Sequence, residues 1–265
     1  MKKLLRTFAV VACTSVVFVS CKKTAENTVD QNGISSDDIT MIKAAGLHAE
    51  GATKVDGRFL IEGDLLLSAD ELRNMAGKDD HNLIVADEEQ YRTTNTVTSL
   101  PRTITVKYTG VYSSISTAIT NAVARYNALA LRLTFQKISS GTASITVSDV
   151  TGASYIASAG FPSGGNAFNS IKFNTAYTGW SSSTLTSTMA HEIGHCIGFR
   201  HTDYMARQYS CGGSAYNEGA STVGAVHIPG TPTGADPNSW MLACIGNGVN
   251  RPFNTNDKTA LNYVY

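Results

Sequence analysis

The 265-residue sequence predicts an α+β fold, in which a twisted mixed sheet and two long helices border a cleft and a loop-rich C-terminal part follows. Apolar residues recur at helical spacing over residues 114–129 and again over 184–199. Short segments with the alternating pattern of strands lie before and between these two stretches. A helix that connects parallel strands, with a second helix after the sheet, is the order expected of such a domain.

The first twenty residues have the composition of a secretory signal. Lys2, Lys3 and Arg6 precede an apolar run over residues 7–19, and no acidic residue is present. The run is too short for a convincing membrane-spanning helix. It ends in Phe-Val-Ser-Cys, which resembles a bacterial lipobox, so we expect export of the chain with a lipid on Cys21. A plain secreted protein with an incidental cysteine is the alternative.

Charge restricts the partners of the exported chain. The whole sequence has 21 Lys+Arg and 21 Asp+Glu, and residues 1–20 contain three of the basic residues, which leaves 18 against 21 after cleavage. This slightly acidic balance argues against nucleic acid as a partner. It also offers no basic patch for a membrane surface, so we expect membrane contact only through the lipid anchor. We expect a monomer.

Two regions precede the main domain. Residues 21–38 are polar and predict a tether. Residues 39–97 form a separate N-terminal segment, in which two apolar runs over residues 58–67 predict strands on either side of a turn. Ser68 and Glu71 have the spacing of a capping box and predict a short helix. The polar stretch that follows is a place where a protease could cut, so 39–97 is a candidate propeptide.

Residues 98–265 are assigned to one domain with a regular order of elements. The helix predicted over 114–129 follows the first strand, and a closing helix over 254–265 begins with an Asn/Asp cap. The five strands are predicted at residues 103–111, 131–138, 143–150, 154–159 and 170–174.

The sequence HEIGHCIGFRH, residues 191–201, contains the candidate zinc ligands and the candidate base. His191 and His195 are four residues apart, so on a helix both imidazoles project from one face and reach one Zn²⁺. Glu192 lies between them and is placed to act as a base. Gly198 accepts a positive φ, which ends the helix and brings His201 back as a third ligand. Three protein ligands leave a position for water, which is typical of a catalytic zinc site.

The pattern HExxHxxGxxH resembles the signature of the metzincin metallopeptidases. Within that group, the sequence HEIGH followed by GFRHTD is similar to the motif of the bacterial HEIGH metallopeptidases. The resemblance implies a metzincin-like fold with the zinc in the cleft. It implies an endopeptidase that hydrolyses protein or peptide substrates outside the cytoplasm. Glu192 would take the proton of a zinc-bound water as that water attacks the peptide carbonyl. One Zn²⁺ is expected, and whether Ca²⁺ is bound stays open.

The same resemblance assigns two supporting features. Met241 follows Ser-Trp and matches the Met-turn, in which a methionine forms a packed floor beneath the zinc ligands. The strand before the glycine-rich break is implied to be the sheet edge that pairs with an extended substrate, namely Tyr155, Ile156, Ala157, Ser158 and Ala159.

Asp64 is a candidate latency ligand. Its surroundings, Ile-Glu-Gly-Asp-Leu, are similar to the Phe-x-Gly-Asp motif of astacin propeptides, in which the aspartate ligates zinc and blocks the water position. The alternative is an ordinary turn aspartate. Ala243 stands where astacins have a tyrosine ligand, and Thr202-Asp203-Tyr204 replaces the astacin glutamate, so the sequence favours a three-histidine site.

Three cysteines remain after the signal and Cys21. On a helical wheel Cys196 points with the apolar face, away from the zinc-binding histidines, which indicates a buried free thiol. Cys211 and Cys244 are then the favoured disulfide, although pairing of Cys196 with either one stays open.

Two other functions stay open besides an endopeptidase. One is a non-catalytic surface lipoprotein that binds peptide or a host protein through the same cleft, and the other is a non-proteolytic zinc hydrolase. The first is disfavoured because Glu192 and all three histidines are retained. The third histidine and the methionine favour a peptide substrate over the second.

Overall fold

We describe a computed structural model of the chain. The described residues are 33–76, 90–215, 217–218, 225–232 and 236–265. The predicted signal over residues 1–20, Cys21 and the tether up to residue 32 lie outside them. In the described parts of the chain, no helix combines the length and apolar character needed to cross a membrane.

The centre of the fold is a mixed five-stranded sheet. Its strands are β5 (Arg102–Tyr108), β6 (Leu133–Ile138), β7 (Ile145–Val150), β8 (Ala157–Ser158) and β9 (Ser170–Asn174), in the order β6-β5-β7-β9-β8. All pairings are parallel except that of β8, which runs antiparallel to β9 at the sheet edge. Alternate side chains such as Leu133 and Phe135 are buried, which is the period-two pattern that predicted these strands. The predicted α+β fold is confirmed.

Two fifteen-residue helices pack together against this sheet. The first, α3 (Ser113–Asn127), follows β5 and buries the six apolar residues that the helical period predicted, Ile115, Ala118, Ile119, Ala122, Val123 and Tyr126. The second, α4 (Ser182–Cys196), begins at Ser181, whose side chain accepts a hydrogen bond from the Thr184 amide. Every residue of α4 from Thr184 to its end is buried, so it is a central helix rather than a surface one.

The end of α4 differs from the prediction. The helix stops at Cys196 instead of continuing to residue 199, because Gly198 adopts φ 109°. The Phe199 amide donates to the Gly194 carbonyl, and the Gly198 amide donates to the His195 carbonyl. These two bonds form a Schellman turn with glycine at the left-handed position, which is the role predicted for Gly198.

The N-terminal part forms a small antiparallel sheet with two short helices. Strands β1 (Thr53–Val55), β2 (Arg58–Ile61) and β3 (Leu65–Leu67) pair in that order, and α2 (Ala69–Met75) begins with the predicted capping box. β1 and α1 (Ser36–Ala44) were not predicted. α1 takes in residues 36–38, which we had assigned to the tether, because Ser35 and Asp38 form a capping box that starts the helix there.

The N-terminal part does not have a core of its own. Buried residues from it, including Ile42, Phe59 and Leu65, belong to the same hydrophobic cluster as the central sheet and α4. A parallel bridge joins Leu65 to Ala159 at the sheet edge. The described residues 33–76 therefore pack as an extension of the main domain rather than as a separate unit, because their apolar strands have no other surface to cover them.

The predicted strand over residues 154–159 is shorter than expected. Only β8 pairs regularly with β9, whereas Tyr155 and Ile156 lie in a bend. Asn174 explains the difference, because its side-chain amide donates to the carbonyls of Ala153 and Tyr155. Those carbonyls are therefore not available to a neighbouring strand.

The C-terminal part is loop-rich, as predicted. After α4 it contains only α5 (Gln208–Cys211), β10 (Val226–His227) and the capped closing helix α6 (Thr255–Val264) among the described residues. β10 pairs with β4 (Tyr91–Arg92), so the end of the predicted N-terminal segment, from residue 90 onward, belongs to this domain. Cys211 and Cys244 form the predicted disulfide, and Cys196 is a buried free thiol.

Candidate metal centre

The three predicted histidines meet at one point. α4 presents His191 and His195 from successive turns, and the Schellman turn returns the chain so that His201 faces them. Nε2 of His195 and Nε2 of His201 are 3.2 Å apart. All three side chains are buried, with His191 the most exposed at 8 %.

The other ring nitrogen of each histidine is held by an acceptor. Nδ1 of His191 donates to the Trp240 carbonyl at 2.9 Å, and Nδ1 of His195 donates to the Phe199 carbonyl at 2.8 Å. Because a carbonyl oxygen only accepts, the proton of each neutral ring is on Nδ1. Nε2 then carries a lone pair that points to the common centre, which is how histidines are oriented in metal sites.

Asp64 comes to the same centre from the turn between β2 and β3. Its Oδ2 lies 2.9 Å from Nε2 of His201, 3.5 Å from Nε2 of His191 and 3.9 Å from Nε2 of His195. Burial alone would raise the pKa of Asp64, but the electrostatic interaction with His201 and the adjacent rings of His191 and His195 hold it well below its usual range. The carboxylate therefore contributes a negative charge beside three nitrogen donors.

This donor set fits a metal ion such as Zn²⁺. Bonds of about 2.0–2.1 Å in a tetrahedral site separate neighbouring ligand atoms by roughly 3.3 Å, close to the distances among these four atoms. Nε2 of His191 is buried and has no hydrogen-bond partner in the described chain, as expected of an atom oriented toward a cation. Burial and the neighbouring His191 and His201 lower the pKa of His195 to about 4, although Asp64 acts in the opposite direction. The His195 ring is therefore in the neutral, ligating form near pH 7.

Glu192 lies at the cavity beside this centre. It lines the cavity together with His191 and Asp64, and its Oε2 is buried without a hydrogen-bond partner among the described residues. Burial, together with the Asp64 carboxylate, raises the pKa of Glu192 well above its usual range, while His201 opposes this shift. A carboxyl group with a raised pKa accepts a proton readily, which suits a base.

Met241, the predicted Met-turn residue, packs against α4 at Gly194. It is fully buried, and a Cβ built on Gly194 would lie 2.6 Å from its Sδ atom. Gly194 is therefore needed for α4 to approach the methionine. The neighbouring Trp240 supplies the carbonyl that holds His191, so this turn both supports and orients the histidines.

A buried ionic network surrounds His201, and sequence reasoning missed it. Nδ1 of His201 donates to both carboxylate oxygens of Glu218, at 3.0 and 3.1 Å. Glu218 also accepts from Arg207 at 2.5 Å. Burial alone would raise the pKa of Glu218, but His201, Arg207 and Arg200 lower it below its usual value. No local pattern marks Glu218, which lies in a loop seventeen residues after the histidine.

The same network ties the N-terminal part to the metal centre. Arg200 donates to both carboxylate oxygens of Glu62 at 2.9 Å, and both side chains are almost fully buried. Arg207 also donates to the Glu62 carbonyl. Glu62 and Asp64 flank Gly63, so the turn between β2 and β3 is held from two sides.

The predicted edge strand contacts this turn through its backbone. The Ala159 amide donates to the Asp64 carbonyl at 2.9 Å, and the Leu66 amide donates to the Ala159 carbonyl at 2.8 Å. Of the five predicted edge residues, only Ala159 makes these pairings, while Ala157 and Ser158 form β8. The segment that contains Asp64 therefore lies along the edge that we predicted for substrate.

Asp203 supports the loop after Met241. It accepts hydrogen bonds from the Ala243 amide at 2.9 Å and from the Ser210 hydroxyl at 2.6 Å. Ala243, at the position that carries the tyrosine ligand in astacins, thus contributes its backbone amide to this hydrogen bond rather than a side chain to the metal centre.

The chain is similar to a known family and to solved structures. The family model of the dual-action HEIGH metallo-peptidases matches residues 59–265. Two solved structures of myroilysin are similar to the chain, each at 19 % identity. One covers 64 % of this chain and 82 % of its own with a TM-score of 0.43, and the other covers 62 % and 83 % with a TM-score of 0.41. No curated protein matches. Since the family match spans well over half of the sequence, the chain belongs to the dual-action HEIGH metallo-peptidases.

Proposed function

We propose that the protein is a zinc-dependent endopeptidase of the metzincin type that hydrolyses protein substrates outside the cytoplasm. The observation that carries the proposal is the convergence of three histidine Nε2 atoms near Glu192, whose Oε2 is buried without a hydrogen-bond partner among the described residues. His191, His195 and His201 would hold the ion, and Met241 would support them from below. Family membership supports peptide bonds as the target.

The reaction uses few groups of the chain. When bound, Zn²⁺ supplies a Lewis acid for the peptide carbonyl and lowers the pKa of water. Glu192 takes the proton of the attacking water and later delivers it to the leaving nitrogen, so no covalent enzyme intermediate is needed. Trp240, Phe199 and Glu218 keep the histidine rings in the ligating orientation through their contacts with Nδ1.

We infer that an extended substrate binds along the edge that includes β8 and Ala159. The pairing of Ala159 with Asp64 and Leu66 supports this, because it uses the backbone groups that a substrate strand would use. The N-terminal part and a substrate then compete for one edge. In this arrangement Asp64 is a latency ligand that occupies the position of the water. Removal of the chain before residue 90 as a propeptide opens the cleft, while β4 stays paired with β10 in the main domain.

We further propose that the chain is exported, anchored by a lipid on Cys21 and active as a monomer. The signal-like composition of residues 1–20 and the lipobox-like sequence support export and anchoring. The disulfide between Cys211 and Cys244 is consistent with an oxidising compartment. Labelling with a fatty-acid analogue, lost in Cys21→Ala, would check the anchor.

One experiment separates this function from its alternatives. The purified full chain, before and after brief trypsin treatment, is assayed for bound metal and for cleavage of a denatured protein mixture. We expect about one zinc per chain and cleavage that a chelator abolishes and added Zn²⁺ restores. Zinc without cleavage in both preparations would instead favour the non-catalytic lipoprotein, and activity only on non-peptide substrates would favour another hydrolase.

A further inference from the structure

A cavity of about 290 Å³ adjoins the metal centre. His191, Glu192 and Asp64 are among the residues that line it. Its lining also includes residues of α4 and of the loop after Met241, among them Ser187, Thr188, Ala243 and Ile245, together with Tyr177 and Arg251. A side chain next to the scissile bond has this space available, because the cavity is continuous with the centre where the bond is cleaved.

Arg251 is one of the two arginines that line this cavity. One of its nitrogens, Nη1, donates to the Cys244 carbonyl at 2.7 Å, and its backbone amide donates to the Ser187 hydroxyl at 2.9 Å. No carboxylate in the described residues forms an ion pair with its guanidinium. Burial lowers the pKa of Arg251, and Asp203 opposes only part of this shift. The guanidinium thus lines a partly desolvated cavity, and it has donors that the described residues do not use.

A second guanidinium lies behind this wall. Arg125 on α3 donates to the Ser187 hydroxyl, to the Arg251 carbonyl and to Asn250 Oδ1. It also has no ion pair in the described chain, and burial lowers its pKa. By contrast, Arg207 at the metal end is neutralised by Glu218. Two guanidinium groups without an ion pair among the described residues therefore lie at this wall of the cavity and behind it, and they favour a negative charge there.

We propose that this cavity binds the carboxylate of an aspartate or glutamate beside the scissile bond, and that Arg251 makes the peptidase selective for such acidic sites. The proposal rests on the proposed peptidase function and adds the class of substrate. A carboxylate forms a charge-assisted hydrogen bond with the Arg251 guanidinium, whereas a lysine there is repelled by the Arg251 and Arg125 guanidinium groups. A neutral side chain fits but leaves the Arg251 donors without an acceptor.

The test compares cleavage sites and peptide pairs. The full chain, trypsin-activated where needed, cleaves a denatured protein mixture, and the new termini are identified by mass spectrometry. We expect Asp and Glu to be enriched at one position that flanks the cleaved bond. For two peptides that differ only by Asp or Asn there, Arg251→Gln should lower the Asp/Asn ratio of kcat/KM by about ten-fold or more.

Control variants and direct binding measurements distinguish the effect of the Arg251 charge from a general loss of activity. Arg251→Lys keeps the charge and should keep the preference for acid, while Lys258→Gln removes an exposed charge from α6 and should leave the ratio unchanged. Binding of the Asp and Asn peptides to the Glu192→Gln variant should show the same dependence on Arg251 without turnover. Metal content and melting temperature show whether each variant is folded.

The outcomes are distinguishable. A wild-type chain that cleaves proteins without preference for acid, or an Arg251→Gln variant that keeps the preference while folded, overturns the acidic pocket and leaves the peptidase intact. A wild-type chain that cleaves no protein but still binds the Asp peptide through Arg251 overturns the proposed function and keeps the pocket. Binding that does not differ between the Asp and Asn peptides overturns the pocket in either case.

Discussion

Asp64 Oδ2 lies 2.9 Å from Nε2 of His201, although the two residues are 137 positions apart in the sequence. The same oxygen faces the other two histidines, and the backbone of Asp64 pairs with Ala159 at the sheet edge. One residue therefore approaches both the metal position and the substrate edge. A substitution of Asp64 therefore tests whether this residue blocks the metal site or only supports the fold.

The Asp64→Ala variant should make the uncut chain more active. Removing the carboxylate frees the fourth position of the site, so we expect cleavage of a peptide substrate to rise about ten-fold or more over the uncut wild type. After brief trypsin treatment the two proteins should be equally active. Asp70→Ala is the control, because the Asp70 side chain is 86 % exposed on α2 and its one ion pair among the described residues is with Arg73. Unchanged activity of uncut Asp64→Ala would contradict latency through this residue.

The Glu192→Gln variant should bind metal and fail in catalysis. The amide has nearly the same shape as the carboxyl group but does not accept a proton, so kcat should fall by about 10²–10⁴-fold. Metal content should stay near one ion per chain, since Glu192 is not among the groups whose atoms converge on the centre. Metal analysis and peptide hydrolysis on the same sample provide the check, and a variant that retains wild-type turnover would exclude Glu192 as the base.

The Glu218→Ala variant should lower metal affinity. Glu218 holds Nδ1 of His201, and loss of such an orienting partner typically costs about 10–100-fold in metal affinity. Glu218→Gln still offers an oxygen acceptor, so its loss should be smaller. Competition with a chelator of known affinity measures both variants. Equal affinities for Glu218→Ala and wild type would indicate that this carboxylate serves only to neutralise Arg207 and Arg200.

The parts of this centre that the sequence predicted are those set by local rules. His191, Glu192 and His195 follow from helical spacing, and the left-handed φ of Gly198 explains the return of the chain to His201. Cys196 was separated from the ligands by the helical wheel alone. These inferences need no knowledge of distant contacts.

The remaining parts depend on contacts that no short stretch of sequence encodes. The Trp240 carbonyl that orients His191 is a backbone group, and every residue type has one, so the sequence pattern does not predict this contact. Glu218 is a lone acidic residue in a loop. The bend at Tyr155 results from Asn174 on another strand. α1 was missed because its residues 36–44 are mostly polar, and Ile42 is its only buried residue.

The Gly194→Ala variant tests the contact between the metal-binding helix and its floor. An added methyl group would meet Met241 Sδ at 2.6 Å and Trp240 Nε1 at 3.1 Å, and both side chains are buried. Overpacking of this kind costs about 1–3 kcal/mol, whereas alanine in place of glycine within a helix contributes about 1 kcal/mol in the opposite direction.

We therefore expect a net loss of up to about 2 kcal/mol in the free energy of unfolding, together with weaker metal binding, because displacement of Trp240 moves the acceptor of His191. Gly179→Ala is the matched control, since its added methyl group meets nothing within 4 Å. Denaturant unfolding with saturating Zn²⁺ measures both variants. A Gly194→Ala protein as stable as Gly179→Ala, with unchanged metal affinity, would mean that Met241 moves aside freely and does not act as a rigid floor.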